Sequence, residues 1–85
     1  MYYVYLLLSE KDKRTYCGST DNLARRLGEH NSGKNISTRN RRPLKLIYTE
    51  SFDDLTSARF REKYFKSRSG RRELKRIFCE LNIGE

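Results

Sequence analysis

Five side chains in this sequence are of types that together hydrolyse a phosphodiester bond: Tyr5, Tyr16, Arg26, His30 and Glu62. That reaction needs an attacking water, a group to take its proton, positive charge against the non-bridging oxygens and help for the departing 3′ oxygen. Arg26 carries a planar fork that matches two phosphate oxygens. His30, one helical turn further on, takes or passes a proton near neutral pH. Glu62 is a carboxylate able to hold a divalent cation. With no adjacent Asp, such an ion would keep most of its waters, which suits Mg²⁺. Tyrosine is a poor base at its usual pKa of about 10, so Tyr5 or Tyr16 serves only beside an arginine or a metal. Singly, each residue has a plainer role. Strand tyrosines mostly pack in cores, a lone helical histidine is mostly structural, and Arg26 and Glu62 can pair with each other.

The elements that must position these groups are legible in order. Tyr2 to Leu8 is aromatic and branched enough for a strand. Tyr2, Val4, Leu6 and Leu8 fall on one face, and Tyr3, Tyr5 and Leu7 on the other. Both faces are apolar, as in a central strand covered on two sides. Ser9 to Arg14 is a charged turn, and Thr15-Tyr16-Cys17 returns as the second strand. Gly18 then permits a bend or a close approach. Ser19 to Asn22 is dense in N-cap residues, which predicts a helix to about Asn31. On its wheel Leu23, Leu27 and His30 form a narrow stripe with Arg26 at its border, while Arg25 and Glu29 point away.

Ser32 to Pro43 is a loop with four cations, Lys34, Arg39, Arg41 and Arg42, between positions 34 and 42. It reads equally well as a solvated connection or as a phosphate-contacting segment. Leu44 to Thr49 is the third strand. Asp53 and Asp54 are a cap and a first-turn charge for a second helix to about Ser67, rather than metal ligands. Leu55, Ala58, Glu62 and Phe65 share one face of it. A carboxylate on that stripe requires a partner, either an arginine or a metal ion. Phe60 and Tyr64 project on another side, towards further core. Ser69 and Gly70 separate a last helix, Arg71 to about Leu81, whose buried stripe is Leu74, Ile77, Phe78 and Leu81. Arg71, Arg72, Lys75 and Arg76 give it a basic outer surface, read as a solvated face ahead of a DNA contact. The order β-β-α-β-α-α predicts an α+β fold: a three-stranded, mostly antiparallel sheet flanked by three helices.

Composition bounds the partners. With 85 residues the chain is one small domain, residues 1–85. Nineteen Lys and Arg against eleven Asp and Glu leave a net charge of +8. A polyanion is the natural partner, because each neutralised phosphate releases counterions. The longest apolar run is too short to span a bilayer. No basic segment precedes it, so a secretory signal is not expected, nor is a membrane role. A cytoplasmic protein is expected. Cys17 and Cys79 belong to no metal-binding spacing, so reduced thiols are expected.

As an ordered set, Tyr3-Val4-Tyr5, Tyr16-Cys17-Gly18, Asn22-Leu23, Arg26-Leu27, His30, Ser32-Gly33-Lys34, Arg42-Pro43-Leu44, Leu46-Ile47-Tyr48 and Arg61-Glu62 resemble the GIY-YIG nuclease superfamily, and within it the small stand-alone bacterial proteins. The match runs through nearly the whole chain. Tyr3 stands where the first glycine is usual, and Cys17 where an aliphatic residue is usual. The resemblance implies a GIY-YIG-like sheet flanked by helices and single-metal cleavage of DNA, branched or single-stranded, with one Mg²⁺ or Mn²⁺ and no small-molecule cofactor. It implies that Tyr5 and Tyr16 are the motif tyrosines, either one the base. Arg26 then binds phosphate, His30 assists and Glu62 binds the metal. The alternative is a catalytically silent nucleic-acid-binding module of the same fold, with Tyr3 and Tyr5 stacking bases.

Overall fold

A computed structural model describes residues 1–36 and 38–81. Residues 82–85 of the expected domain lie outside the described part. Three strands, β1 (Tyr2–Ser9), β2 (Thr15–Thr20) and β3 (Leu44–Phe52), form one sheet in the order β2-β1-β3, antiparallel throughout. Helix α1 (Leu23–Ser32) follows β2. Helices α2 (Leu55–Phe65) and α3 (Arg68–Glu80) follow β3, and a short 3₁₀ turn at Arg39–Arg41 leads into β3. The expected α+β order is the one observed.

β1 is central because both its faces are apolar. Val4 and Leu6 pack with Ala58, Phe65, Leu74, Ile77 and Phe78 of α2 and α3. Tyr5 and Leu7 face the other way and pack with Leu44, Tyr16, Leu23 and Leu27 under α1. The sheet thus separates a larger core from a smaller one. Asn22 caps α1 by accepting from the Arg25 amide at 3.0 Å, and Asp54 caps α2 by accepting from Ser57 at 2.6 Å. Of the acidic pair before α2, Asp54 is the expected cap, whereas Asp53 precedes the cap and adds no charge to the first turn. Asn31 clips α1 to the start of β3, donating to the Leu44 carbonyl at 3.0 Å and accepting from its amide at 2.8 Å.

Several boundaries differ from the sequence reading. β2 continues through Gly18 to Thr20, and β3 runs on to Phe52, with a bulge opposite Leu6 and Leu7. Ser69 and Gly70 do not separate the last two helices. Ser67 is the N-cap of α3, and both residues lie in its first turn. Gly70 is buried there because α3 leaves α2 at close quarters. A β-carbon on it would stand 1.8 Å from the Tyr64 carbonyl oxygen. Phe60 does not cover core; it is 76% exposed. Leu81 caps α3 and is exposed, unlike Leu74, Ile77 and Phe78. Leu81 lies where the apolar stripe of α3 outruns the surface available to cover it, and Phe60 projects from a side of α2 left open to solvent. Tyr64 does pack against the larger core.

The far edge of the sheet is tied down by Arg61. Its guanidinium binds Glu50 of β3 through two contacts, 2.7 and 3.0 Å, also meets Glu73 of α3, and lies 4.2 Å from the Phe65 ring centroid. Three elements share one partly buried cation, a bidentate arrangement that sets register as well as energy.

Candidate active site

The centre of the site is the Tyr5 hydroxyl. Tyr5 is 2% exposed and stands directly opposite Gly18 in the β1–β2 ladder. A β-carbon on Gly18 would come within 2.4 Å of the Tyr5 oxygen. Glycine is required there because the phenol lies across the neighbouring strand. The hydroxyl receives a hydrogen bond from Arg26 Nε at 3.3 Å and contacts His30 Nε2 at 3.0 Å. Tyr16 stands beside them, its ring centroid 5.0 Å from that of His30 and 6.4 Å from that of Tyr5. Four of the five expected residues therefore meet on the α1 side of the sheet.

His30 is the one buried residue of α1, fully enclosed, and its Nδ1 lies 2.7 Å from the hydroxyl of Thr38, itself buried. Burial pushes its pKa down, and the nearby Arg26 charge pushes it further. The neutral tautomer follows from the partners. Were the proton on Nε2, the Tyr5 oxygen would face two donors with no acceptor for its own proton. With the proton on Nδ1, the imidazole donates to Thr38 and accepts from Tyr5, and the phenol has both a donor and an acceptor. Tyr5 itself is raised above the usual phenol range by burial, against the pull of the Arg26 hydrogen bond.

Glu62 reaches the same edge strand from the opposite layer. It accepts from Ser19 of β2, the neighbour of Gly18, at 2.6 Å and from Lys66 at 2.7 Å. It does not pair with Arg26. Instead Arg26 Nη1 binds Glu29 at 3.0 Å, so Glu29 turns back over the helix rather than away from it. A phosphate taking the whole Arg26 fork would have to displace Glu29. Burial pushes the Glu62 carboxyl up, but Lys66 and Ser19 outweigh it and the net direction is down. It is ionised at neutral pH. Its negative charge is felt at Tyr5, which places the acid within electrostatic reach of the phenol.

Among the described residues, no three His, Cys, Asp or Glu converge on one point. The donors for a cation at Glu62 are one carboxylate and the Ser19 hydroxyl, with an ammonium now held against the acid by a half-exposed lysine side chain. That set fits a hydrated hard cation that keeps most of its waters, and does not fit a closed protein cage. The four loop cations divide. Arg41 binds Asp12 at 3.0 Å and the Thr15 carbonyl at 3.3 Å, locking the hairpin turn. Arg42 donates to the Arg39 carbonyl at 2.8 Å. Lys34 and Arg39 face solvent.

Lys66, Glu29, Ser19 and Thr38 escaped the sequence reading. Lys66 sits at i+4 from Glu62 and Glu29 at i+3 from Arg26, spacings that mark helical ion pairs. Nothing local marks Ser19 or Thr38, whose partners are distant in sequence.

Acid should weaken the fold through His30. Its folded pKa lies below the unfolded value of about 6.5, so the unfolded chain binds a proton that the native one refuses. The stability it contributes is complete above that value and is lost as pH falls. Urea unfolding across pH 7 to 5 should show this slope, at most about 1.4 kcal/mol per pH unit. In His30→Asn the slope should shrink, whatever its overall stability. Superimposable slopes for the two proteins would remove His30 from the account.

Comparison with known proteins agrees with this geometry. The sequence pattern of the GIY-YIG catalytic domain matches residues 1–75. A UPF0213 protein of Lactiplantibacillus plantarum is 49% identical over 77 residues, covering 87% of this chain and 75% of that protein. A UPF0213 protein of Clostridium perfringens is 41% identical over 78 residues, covering 91% and 83%. The solution NMR structure of a UPF0213 protein from Bacillus halodurans superposes with a TM-score of 0.53 at 36% identity, covering 91% of this chain and 85% of that one. With the family pattern spanning both strands of the hairpin, α1 and Glu62, the chain belongs to the GIY-YIG family, in company with the small UPF0213 proteins.

Proposed function

We propose that residues 1–85 form a single-domain, divalent-metal-dependent endonuclease of the cytoplasm that hydrolyses DNA phosphodiesters. The observation that carries the proposal is the Tyr5 hydroxyl shared between Arg26 and His30, with Glu62 held on the adjoining strand residue. A binding module has no use for a phenol buried against a neutral imidazole, nor for an ionised acid held on the adjoining strand residue.

In this reading Arg26 holds the non-bridging phosphate oxygens. The attacking water gives a proton to the Tyr5 oxygen while Tyr5 passes its own to His30 Nε2. The resulting imidazolium is held by Thr38. The water oxygen bonds to phosphorus, the bond to the 3′ oxygen breaks, and that oxygen is protonated from solvent. Glu62 would hold a Mg²⁺ or Mn²⁺ ion, which would supply Lewis-acid charge to the reaction. Tyr16 walls the imidazole and shapes the pocket. Lys34 and Arg39 contact flanking phosphates, whereas Arg41 and Arg42 chiefly hold the loop.

The test is a cleavage panel on branched, nicked, duplex and single-stranded DNA, with Mg²⁺ or Mn²⁺ and with EDTA. Cleavage should require the metal and fall by about a hundredfold or more in Glu62→Gln. Metal-independent cutting, or a Glu62→Gln variant as active as the parent, would refute the proposal.

A further inference from the structure

Beside the cluster just described, on the α3 side of β2, lies a groove of about 660 Å³. Its floor is apolar, built from Phe65, Leu74 and Phe78. Its rim is cationic, with Lys66, Arg71 and Lys75, and no carboxylate lines it. Tyr16 of the catalytic cluster also lines it. The groove is therefore continuous with the site at two points. Tyr16 packs on His30, and Lys66 holds Glu62. The charge on Lys66 is also felt from the Tyr16 phenol, so the two groups are neighbours across the junction.

The geometry points to a nucleotide subsite: the groove receives one unstacked nucleobase on its apolar floor, with the flanking phosphates on Lys66, Arg71 and Lys75. The volume falls within the range of small-ligand pockets. An apolar floor beneath a row of cations takes an aromatic ring joined to anionic groups. In a strand threading past Tyr16, those are a base and its phosphodiesters. A paired base cannot enter, because its ring is stacked inside the duplex. The inference deepens the nuclease reading and rests on it for the identity of the strand. Its consequence is that DNA with an unpaired nucleotide next to the cut is preferred over continuous duplex.

Two variants probe the groove without touching the catalytic cluster. Cys79→Trp plugs it from an exposed lining position, and Arg71→Glu with Lys75→Glu reverses its rim at exposed sites. Thermal denaturation establishes that each is folded. Binding is measured in EDTA, by ¹⁵N chemical shifts and fluorescence anisotropy, for an oligothymidylate of about eight nucleotides and for a blunt duplex hairpin. The oligothymidylate should shift amides around Leu74, Phe78 and Cys79. Both variants should weaken its binding by about tenfold or more and weaken the duplex by much less. Shifts confined to α1 and the loop before β3 overturn the inference. So does equal weakening for both nucleic acids, or occupation of the groove by anionic lipid vesicles or an acidic peptide in preference to the oligonucleotide. Because turnover is not needed, the two readings fail separately. Groove binding without metal-dependent cleavage removes the nuclease alone. Cleavage with an unchanged single-strand to duplex ratio in both variants removes the subsite alone.

Discussion

Tyr5→Phe should cut the rate of DNA cleavage by about 10³-fold while leaving a folded protein. The phenol oxygen orients Arg26 through one hydrogen bond and couples to His30 through another. Its loss removes the proton acceptor and releases the phosphate-binding fork, together worth about three orders of magnitude, because groups that act as a unit are not additive. The ring itself stays, so packing against Leu7 and Leu44 is retained. The fold does lose something: His30 Nε2 is left as a buried acceptor with no donor, at a cost of about 1–3 kcal/mol. A domain of 85 residues has about 4–13 kcal/mol in hand. Single-turnover cleavage at 25 °C, where both proteins are folded, separates the two effects. Residual activity within tenfold of the parent would transfer the base role to Tyr16.

Gly70→Ala should be among the most damaging single substitutions, and Gly28→Ala should have the opposite sign. Both glycines lie in helices, where alanine is intrinsically better by about 0.5–1 kcal/mol. At Gly28 an added β-carbon meets nothing within 4 Å, so that gain should appear in full. At Gly70 the same atom would stand 1.8 Å from the Tyr64 carbonyl oxygen and 2.6 Å from the Phe65 α-carbon. Those are backbone atoms and cannot rotate aside. Helix α3 would have to lift from α2, opening the contacts of Leu74, Ile77 and Phe78. We expect a loss of about 3 kcal/mol or more, a large part of the total. Chemical denaturation of the two variants beside the parent decides it, and a stabilised Gly70→Ala would mean the helices pack farther apart than described.

That contrast shows where sequence reasoning stops. The strand alternation of Tyr2 to Leu8 gave the central position of β1 and its two cores, because period and burial are both local to the chain. The narrow stripe of α1 placed His30 inward and Arg26 at the border for the same reason. The caps at Asn22 and Asp54 were legible as residue types. Ser69 and Gly70 were not, because a glycine demanded by a crossing helix looks identical to one that ends a helix. Leu81 extends an apolar stripe beyond what the fold has surface to cover, and Phe60 stands off the stripe of its helix, on a side left open to solvent. Glu62 stood out as an anomaly on an apolar face. Its actual partners divide into Lys66, readable from spacing, and Ser19, which only the pairing of β2 with β1 brings near. The tripartite contact joins Tyr5 of β1 to Arg26 and His30, which lie 21 and 25 positions further on in α1, and no short window on the chain contains it.

The unequal division of the interior by the sheet has its own consequence. α1 is anchored by one enclosed side chain and the Asn31 clip, whereas α2 and α3 bury Ala58, Phe65, Gly70, Leu74, Ile77 and Phe78. Local opening costs least where least apolar surface is hidden. The cheapest excursion from the native state therefore peels away the helix that carries the guanidinium and the imidazole. The acid and its serine stay docked. An opening of that kind would part Arg26 and His30 from Tyr5 and restore them on closing, with the rest of the fold intact.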